Sequence, residues 1–215
     1  LNFFRSYFAD DISFTIELHP MEKRELTLIY SDKVLEIFAF PLKHRVPTFG
    51  FLFKEKSRHL NIKKEMIKEY RLKFLQIQAV KNGEDIITDD GVFLRNEMLT
   101  EPPYHARSFA YCSDTAYYEK NMSLLQNVDL LYHEATFLDA DRDLAKITGH
   151  STALQAAKLA QKSAAGKLLI GHFSNRYKYL SAFLNEARSV FPETELAEEL
   201  KTYTIPLRRE KRLLH

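Results

Sequence analysis

The feature that most narrows the fold is an alternation in the second half of the chain. "VDLLYH" (128–133) and "AGKLLIGHF" (165–173) are apolar runs of strand length that reach a histidine at or near their ends. Amphipathic, helix-compatible stretches accompany them: "STALQAAKLAQKS" (151–163) and "YLSAFLNEARSVF" (179–191). Ser151 or Thr152 supplies an N-cap for the first of these. "SFAYCS" (108–113) reads as another strand and "YYEKNMSLLQ" (117–126) as a helix. Strands followed by helices, with polar residues at the strand ends, specify a layered α/β architecture.

The opening third is strand-like. "ISFTIEL" (12–18) alternates apolar and polar residues, and "LTLIY" (26–30) and "VLEIFAF" (34–40) follow across turn-like "PMEK" and "SDK". "HRVPTFGFLF" (44–53) adds a strand after a proline-set entry. From Lys54 to Lys81 the chain turns lysine-rich and helix-compatible, with Leu60, Ile62, Met66, Ile67, Tyr70 and Phe74 as an apolar stripe. "NGED" and "TDDG" then mark turns. No internal repeat or low-complexity tract interrupts this order.

With 215 residues, 45% hydrophobic and 28% charged, the chain has material for one large domain with a substantial core. No apolar run approaches the roughly 20 residues of a membrane span. The single cysteine, Cys112, has no internal partner, which fits a reducing cytoplasm. A net charge of +2 is too small to announce a nucleic-acid binder, so local clustering matters more.

Ionisable side chains follow apolar strands at five places: His44 in "FPLKHRVP", Asp114 in "YCSDTAY", His133 and Glu134 in "LLYHEAT", His150 in "TGHST" and His172 in "LIGHFS". Loops at strand ends converge on one edge of a layered α/β fold, so such residues can meet. Histidine with aspartate suits Zn²⁺, because imidazole supplies nitrogen and one carboxylate can offer an oxygen to each of two ions. Each position also has an ordinary explanation. A lone strand-end histidine is more often a hydrogen-bonded structural residue, Asp114 can cap a helix, and His133 can be a core residue with Glu134 a solvated neighbour. His19, His59, His105 and His215 lie in polar or terminal settings and receive no role.

Taken in order, "HRVPTFGF", "YCSDT", "LLYHEATF", "GHSTALQAA" and "HFSNRY" resemble the later motifs of ribonuclease Z, the tRNA 3′-processing endonuclease of the metallo-β-lactamase superfamily. The likeness runs from about Leu26 to Leu207. It implies a four-layer αβ/βα sandwich with a dinuclear zinc site at one edge of its sheets. His44 and His172 then correspond to metal ligands, one for each zinc, and Asp114 to the carboxylate bridging both. His150 corresponds to the catalytic histidine, and Glu134 to the carboxylate that orients it. Backbone N–H groups at the start of the Ser151 helix would favour a phosphate, and Arg176 offers a planar fork to its oxygens. Arg176 could equally lock its loop by bonding carbonyls. Precursor tRNA as substrate, two Zn²⁺ per complete subunit and a homodimer follow from the same resemblance, and a cytoplasmic location without membrane attachment is expected from the lone cysteine and the lack of a long apolar run.

Two departures qualify it. The superfamily's His-x-His-x-Asp-His motif is absent, and the chain opens at Leu1 without methionine, on sequence like the interior of the domain. Residues 1–215 therefore read as the C-terminal two-thirds of such a domain. A chain of this kind is expected to hold zinc weakly and cut poorly alone, because catalytic zinc usually has three protein ligands. Where many family members carry a Gly-Pro-containing arm for the tRNA elbow, this chain has the basic segment 54–81. Lys63, Lys64 and Lys68 are its candidate tRNA contacts, although interspersed Glu55, Glu65 and Glu69 also suit an ordinary solvated helix. Two other functions stay open: another phosphodiesterase of the superfamily, and a non-catalytic RNA-binding or dimerisation fragment.

Overall fold

The computed structural model describes residues 17, 19–21 and 25–210. Apart from Glu17, the alternating run 12–18 lies outside the described residues. The main element is a seven-stranded mixed sheet in the order β1-β2-β3-β8-β9-β10-β11. Its strands are β1 (Thr27–Ser31), β2 (Leu35–Pro41), β3 (Phe49–Glu55), β8 (Ser108–Cys112), β9 (Leu130–Glu134), β10 (Leu168–Gly171) and β11 (Thr194–Leu196). The first three pair antiparallel, β3 pairs antiparallel with β8, and β8 through β11 run parallel. Strands β2, β8, β9 and β10 consequently all end on one edge.

Helices α4 (Arg142–Thr148) and α5 (Ala153–Lys162) connect β9 to β10, and α6 (Ser181–Arg188) connects β10 to β11. Ala153, Ala156, Ala157 and Ala160 on α5 are fully buried. These small side chains let the helix close on Ala110, Cys112, Leu131, Leu168 and Ile170 of the sheet, all in one core cluster with Phe40 and Phe183. Each fully buried Leu or Ile contributes about 2 kcal/mol of desolvation. Thr152 caps α5 in a capping box with Gln155. Glu186 on α6 accepts from the backbone N–H groups of Leu154 and Asp139, fixing both neighbouring segments.

A smaller lobe lies between β3 and β8. It holds β4 (Asn61–Ile62), α1 (Lys64–Glu69), α2 (Phe74–Lys81), β5 (Ile86–Ile87), β6 (Phe93–Leu94), α3 (Asn96–Leu99) and β7 (Thr100–Glu101). Its own cluster is Leu72, Val80, Ile86, Leu94 and Leu99. The single basic helix expected over 54–81 is thus two short helices, broken where Arg71 takes φ +49°. That break turns Phe74 out to solvent and makes the buried anchor Leu72, which the stripe omitted.

The helix expected over 117–126 is only a 3₁₀ turn, Glu119–Asn121. Asn121 is buried with its amide donating to the Pro41 carbonyl, and the chain leaves the turn through Asn127 at φ +57°. Tertiary anchoring outweighs a weak helical pattern here. Helix α4 and strand β11, by contrast, had no expectation attached to them. Among the described residues there is one large sheet with its helical layer, so the expected sandwich is represented by that half.

Candidate metal and phosphate site

The shared strand-end edge brings the expected residues together. His44 lies in the β2–β3 loop, which is tied to the loop after β8 by Ala116 N–H to Lys43 O at 2.7 Å and Lys43 N–H to Thr115 Oγ1 at 3.2 Å. Asp114 follows β8, Glu134 ends β9 and His172 follows β10, whereas His150, expected after a strand, follows helix α4 and precedes α5. The ring centroids of His44 and His150 are 5.0 Å apart, and those of His150 and His172 are 5.3 Å apart. Asp114 Oδ1 stands 3.3 Å from His172 Nε2. Ligand atoms of His44, Asp114 and His150 lie within 4.8 Å of one another, as do those of Glu134, His150 and His172. The trio 44, 114 and 172 is therefore joined through Asp114 and through His150, which belongs to both groupings.

Each of the three imidazoles is held at Nδ1. His44 Nδ1 is 2.9 Å from the Gly149 carbonyl, His150 Nδ1 is 2.7 Å from Glu134 Oε1, and His172 Nδ1 is 2.8 Å from Thr136 Oγ1. A carbonyl and a carboxylate only accept, so Nδ1 of His44 and of His150 donates and leaves an Nε2 lone pair in the neutral ring. Two backbone positions are strained: Asp114 at φ +56° and His172 at φ +61°. Left-handed backbone in non-glycine residues costs on the order of 1 kcal/mol or more and clusters at functional sites.

The two glycines preceding the histidines have separate causes. Gly149 sits at φ +82°, and a Cβ there would lie 3.0 Å from His44 Nδ1. A Cβ on Gly171 would lie 2.5 Å from the Tyr132 hydroxyl. Neither turn accommodates a side chain without moving a neighbour.

Glu134 is fully buried and saturated with donors. Its Oε1 accepts from Thr115 N–H and His150, and its Oε2 accepts from Ser151 N–H, Thr136 N–H and the Thr136 hydroxyl at 2.5 Å. The solvated alternative for Glu134 is thereby corrected. Five protein donors compensate its burial. His133 is the core residue, with Nδ1 on the Glu134 carbonyl and burial holding its imidazole below the ordinary histidine value.

The expected anion seat at the Ser151 helix is corrected. Ser151 is fully buried, its hydroxyl donates to the Thr115 carbonyl and its N–H to Glu134. The next three amides go to Gln155, the Phe137 carbonyl and Glu186. These groups are spent inside the protein and do not face a ligand. Arg176 lies across the Phe137 ring at 5.4 Å and pairs with Asp141 at 3.8 Å, while Phe137 is 6.4 Å from the His150 ring. Asp141 and the Leu138 N–H hold the neighbouring Tyr177 hydroxyl. Of the small-lobe lysines, Lys64 and Lys68 are exposed, and Lys63 donates to the Met98 carbonyl at 2.9 Å. Thr136 is the contributor that sequence reasoning passed over. Its signal was its place two residues after Glu134 in "HEAT".

The donor set suits a divalent cation. Two ligands on a tetrahedral zinc, with bonds of 2.0–2.1 Å, stand about 3.3 Å apart. That matches the separation of His172 Nε2 and Asp114 Oδ1. No helix among the described residues is long and apolar enough to cross a membrane.

Comparison with known proteins gives relatives of the same fold. A family model described as a beta-lactamase superfamily domain matches residues 98–173. Ribonuclease Z of Bacteroides thetaiotaomicron is 42% identical over 200 residues, covering 93% of this chain and 63% of that protein. Ribonuclease Z of Porphyromonas gingivalis is 40% identical over 192 residues, covering 89% of this chain and 63% of that protein. Among solved structures, the metallo-beta-lactamase fold protein YhfI from Bacillus subtilis has a TM-score of 0.50 at 18% identity, covering 79% of this chain and 49% of that one. That last likeness concerns the fold alone. The chain is thus similar over about nine-tenths of its length to proteins named ribonuclease Z, has a metallo-β-lactamase fold, and spans 63% of the length of these curated relatives.

Proposed function

We propose that the chain carries part of the active site of a zinc-dependent endoribonuclease that removes 3′ trailers from tRNA precursors by phosphodiester hydrolysis. The observation that carries this reading is the meeting of three Nδ1-anchored imidazoles with Asp114 on one strand-end edge. Homology to ribonuclease Z over 93% of the chain supports the substrate class.

His44, Asp114 and His172 would hold zinc. Bound zinc would supply an acidified water and neutralise charge on the attacked phosphate. Glu134 keeps His150 Nδ1 protonated and leaves Nε2 as the basic nitrogen, so the ring can take the proton that the attacking water gives up and pass it to the departing 3′-oxygen. The buried carboxylate also steadies the imidazolium that forms meanwhile. Arg176, braced by Phe137 and Asp141, presents its guanidinium at the same rim for phosphate oxygens. Lys64 and Lys68 on the small lobe extend the contact to the RNA backbone. The working form is a homodimer, in keeping with the family resemblance, and the lone Cys112 fits a reducing cytoplasm.

A non-catalytic RNA-binding or dimerisation module is the second reading. A cleavage assay on a trailer-bearing tRNA, with zinc supplied or chelated, separates the two. Zinc-dependent release of the trailer, leaving a 3′-hydroxyl on the tRNA, supports the nuclease. Binding without cleavage by the protein in its complete form contradicts it. His150→Ala is expected to abolish cleavage while zinc stays bound. Loss of both would make His150 a ligand.

A further inference from the structure

We infer that Thr136 is a positioning residue: its hydroxyl fixes the tautomer of His172 and links that ring to the same buried carboxylate that holds His150. The inference rests on reading His172 as a metal ligand. A threonine hydroxyl has one hydrogen to give. Glu134 Oε2, 2.5 Å away, can only accept, so that hydrogen points to Glu134. The hydroxyl oxygen must then accept from His172 Nδ1–H, 2.8 Å distant. In the neutral ring Nε2 is left as a lone pair, 3.3 Å from an Asp114 oxygen. Two lone-pair atoms facing each other repel unless a cation or proton lies between them. Thr136 thereby prepares the acceptor pair that a metal ion would join.

The surroundings leave little freedom. Thr136 is nearly buried, its carbonyl accepts from Ser174 N–H at 3.1 Å, and the Ala135 N–H bonds the Gly171 carbonyl at 2.8 Å. Segments 134–136 and 171–174 are thus laced together on either side of the hydroxyl. Glu134 meets His150 directly through Oε1 and His172 through Thr136 on Oε2. One carboxylate therefore orients both the ring assigned to the metal and the ring assigned to the phosphate. Hydrogen bonds of this kind to a ligating histidine typically change metal affinity by about 10–100-fold.

Two substitutions separate this role from simple packing. Thr136→Val keeps the shape and loses the hydroxyl, and Thr136→Ser keeps the hydroxyl and loses a methyl. Zn²⁺ affinity of the protein, measured by competition with a chromophoric chelator, should fall about 10–100-fold in the valine variant. The serine variant, which keeps the hydroxyl, should lose clearly less than the valine variant. The reverse order, or valine at wild-type affinity, would overturn the inference. Wild-type protein that takes up no Zn²⁺ would instead remove the metal reading, and the inference with it. A measurement on unmutated protein covers the case of a valine variant that does not fold. Long-range ¹H–¹⁵N correlation of the metal-free protein should find neutral His172 protonated at Nδ1, and an Nε2–H tautomer would overturn the inference.

Discussion

The Nδ1 of His44 donates to the carbonyl of Gly149 at 2.9 Å, joining positions 105 residues apart. The same glycine stands at φ +82°, and the residue after it is His150. The loop that turns His44 toward Asp114 is therefore held by the turn that sets His150.

Gly149→Ala should damage this connection twice. Left-handed alanine costs about 1–2 kcal/mol, which lowers Tm by about 2–8 °C in a chain of this size. The new Cβ also lies 3.0 Å from His44 Nδ1. Gly91→Ala is the control, because Gly91 has φ +80° with nothing within 4 Å of an added Cβ. Thermal unfolding should show both variants destabilised and Gly149→Ala more so. A zinc titration should find weakened binding only for Gly149→Ala. Equal behaviour of the two would mean that the His44 contact has no bearing on the metal.

Lys64 and Lys68 should contribute through RNA phosphates if the small lobe meets tRNA. Replacing both with alanine should weaken precursor binding and reduce the slope of log K against log salt by about 1.5. Lys63→Ala should change the slope less, since its ammonium is engaged by the Met98 carbonyl. Filter binding across a salt series reads this directly, and an unchanged slope in the double variant excludes the surface.

Acid stability should depend on Glu55. Hydrogen bonds from Arg107 hold its carboxyl down at about 2, against burial, which pushes it up. Arg107 also donates to the Ile205 carbonyl, so the pair fastens the segment after β11 to the sheet. A depressed folded value contributes stability that is fully present above the unfolded value near 4.5 and is lost as pH falls toward about 2. Denaturation of Glu55→Gln between pH 5 and 2, followed by circular dichroism, should show a shallower loss of stability than wild type. A parallel loss in both proteins would remove Glu55 from the acid response.

The sequence was most legible where one rule acted alone. β9, β10, α5 and α6 follow from apolar period and length, and the strand-end histidines follow from where those strands stop. Residues 117–126 misled because a modest helical pattern competes with the buried Asn121 amide, a contact to Pro41 that the local pattern does not encode. Ser151 misled for a related reason. It has the appearance of a cap, but a carboxylate 17 positions earlier takes its amide and Thr115 takes its hydroxyl. Thr136 was passed over because its significance lies entirely in what the fold brings against it. Composition and spacing suggested the chemistry of the edge, while family motifs were needed to sort its histidines into roles.

In the proposed site His172 and Asp114 address a common cation. Anomalous diffraction at the zinc edge, from crystals of the protein equilibrated with Zn²⁺, tests it most directly. A peak about 2.0–2.2 Å from both His172 Nε2 and an Asp114 oxygen is predicted. Zinc bound elsewhere, with that strand-end edge empty at saturating Zn²⁺, would contradict it.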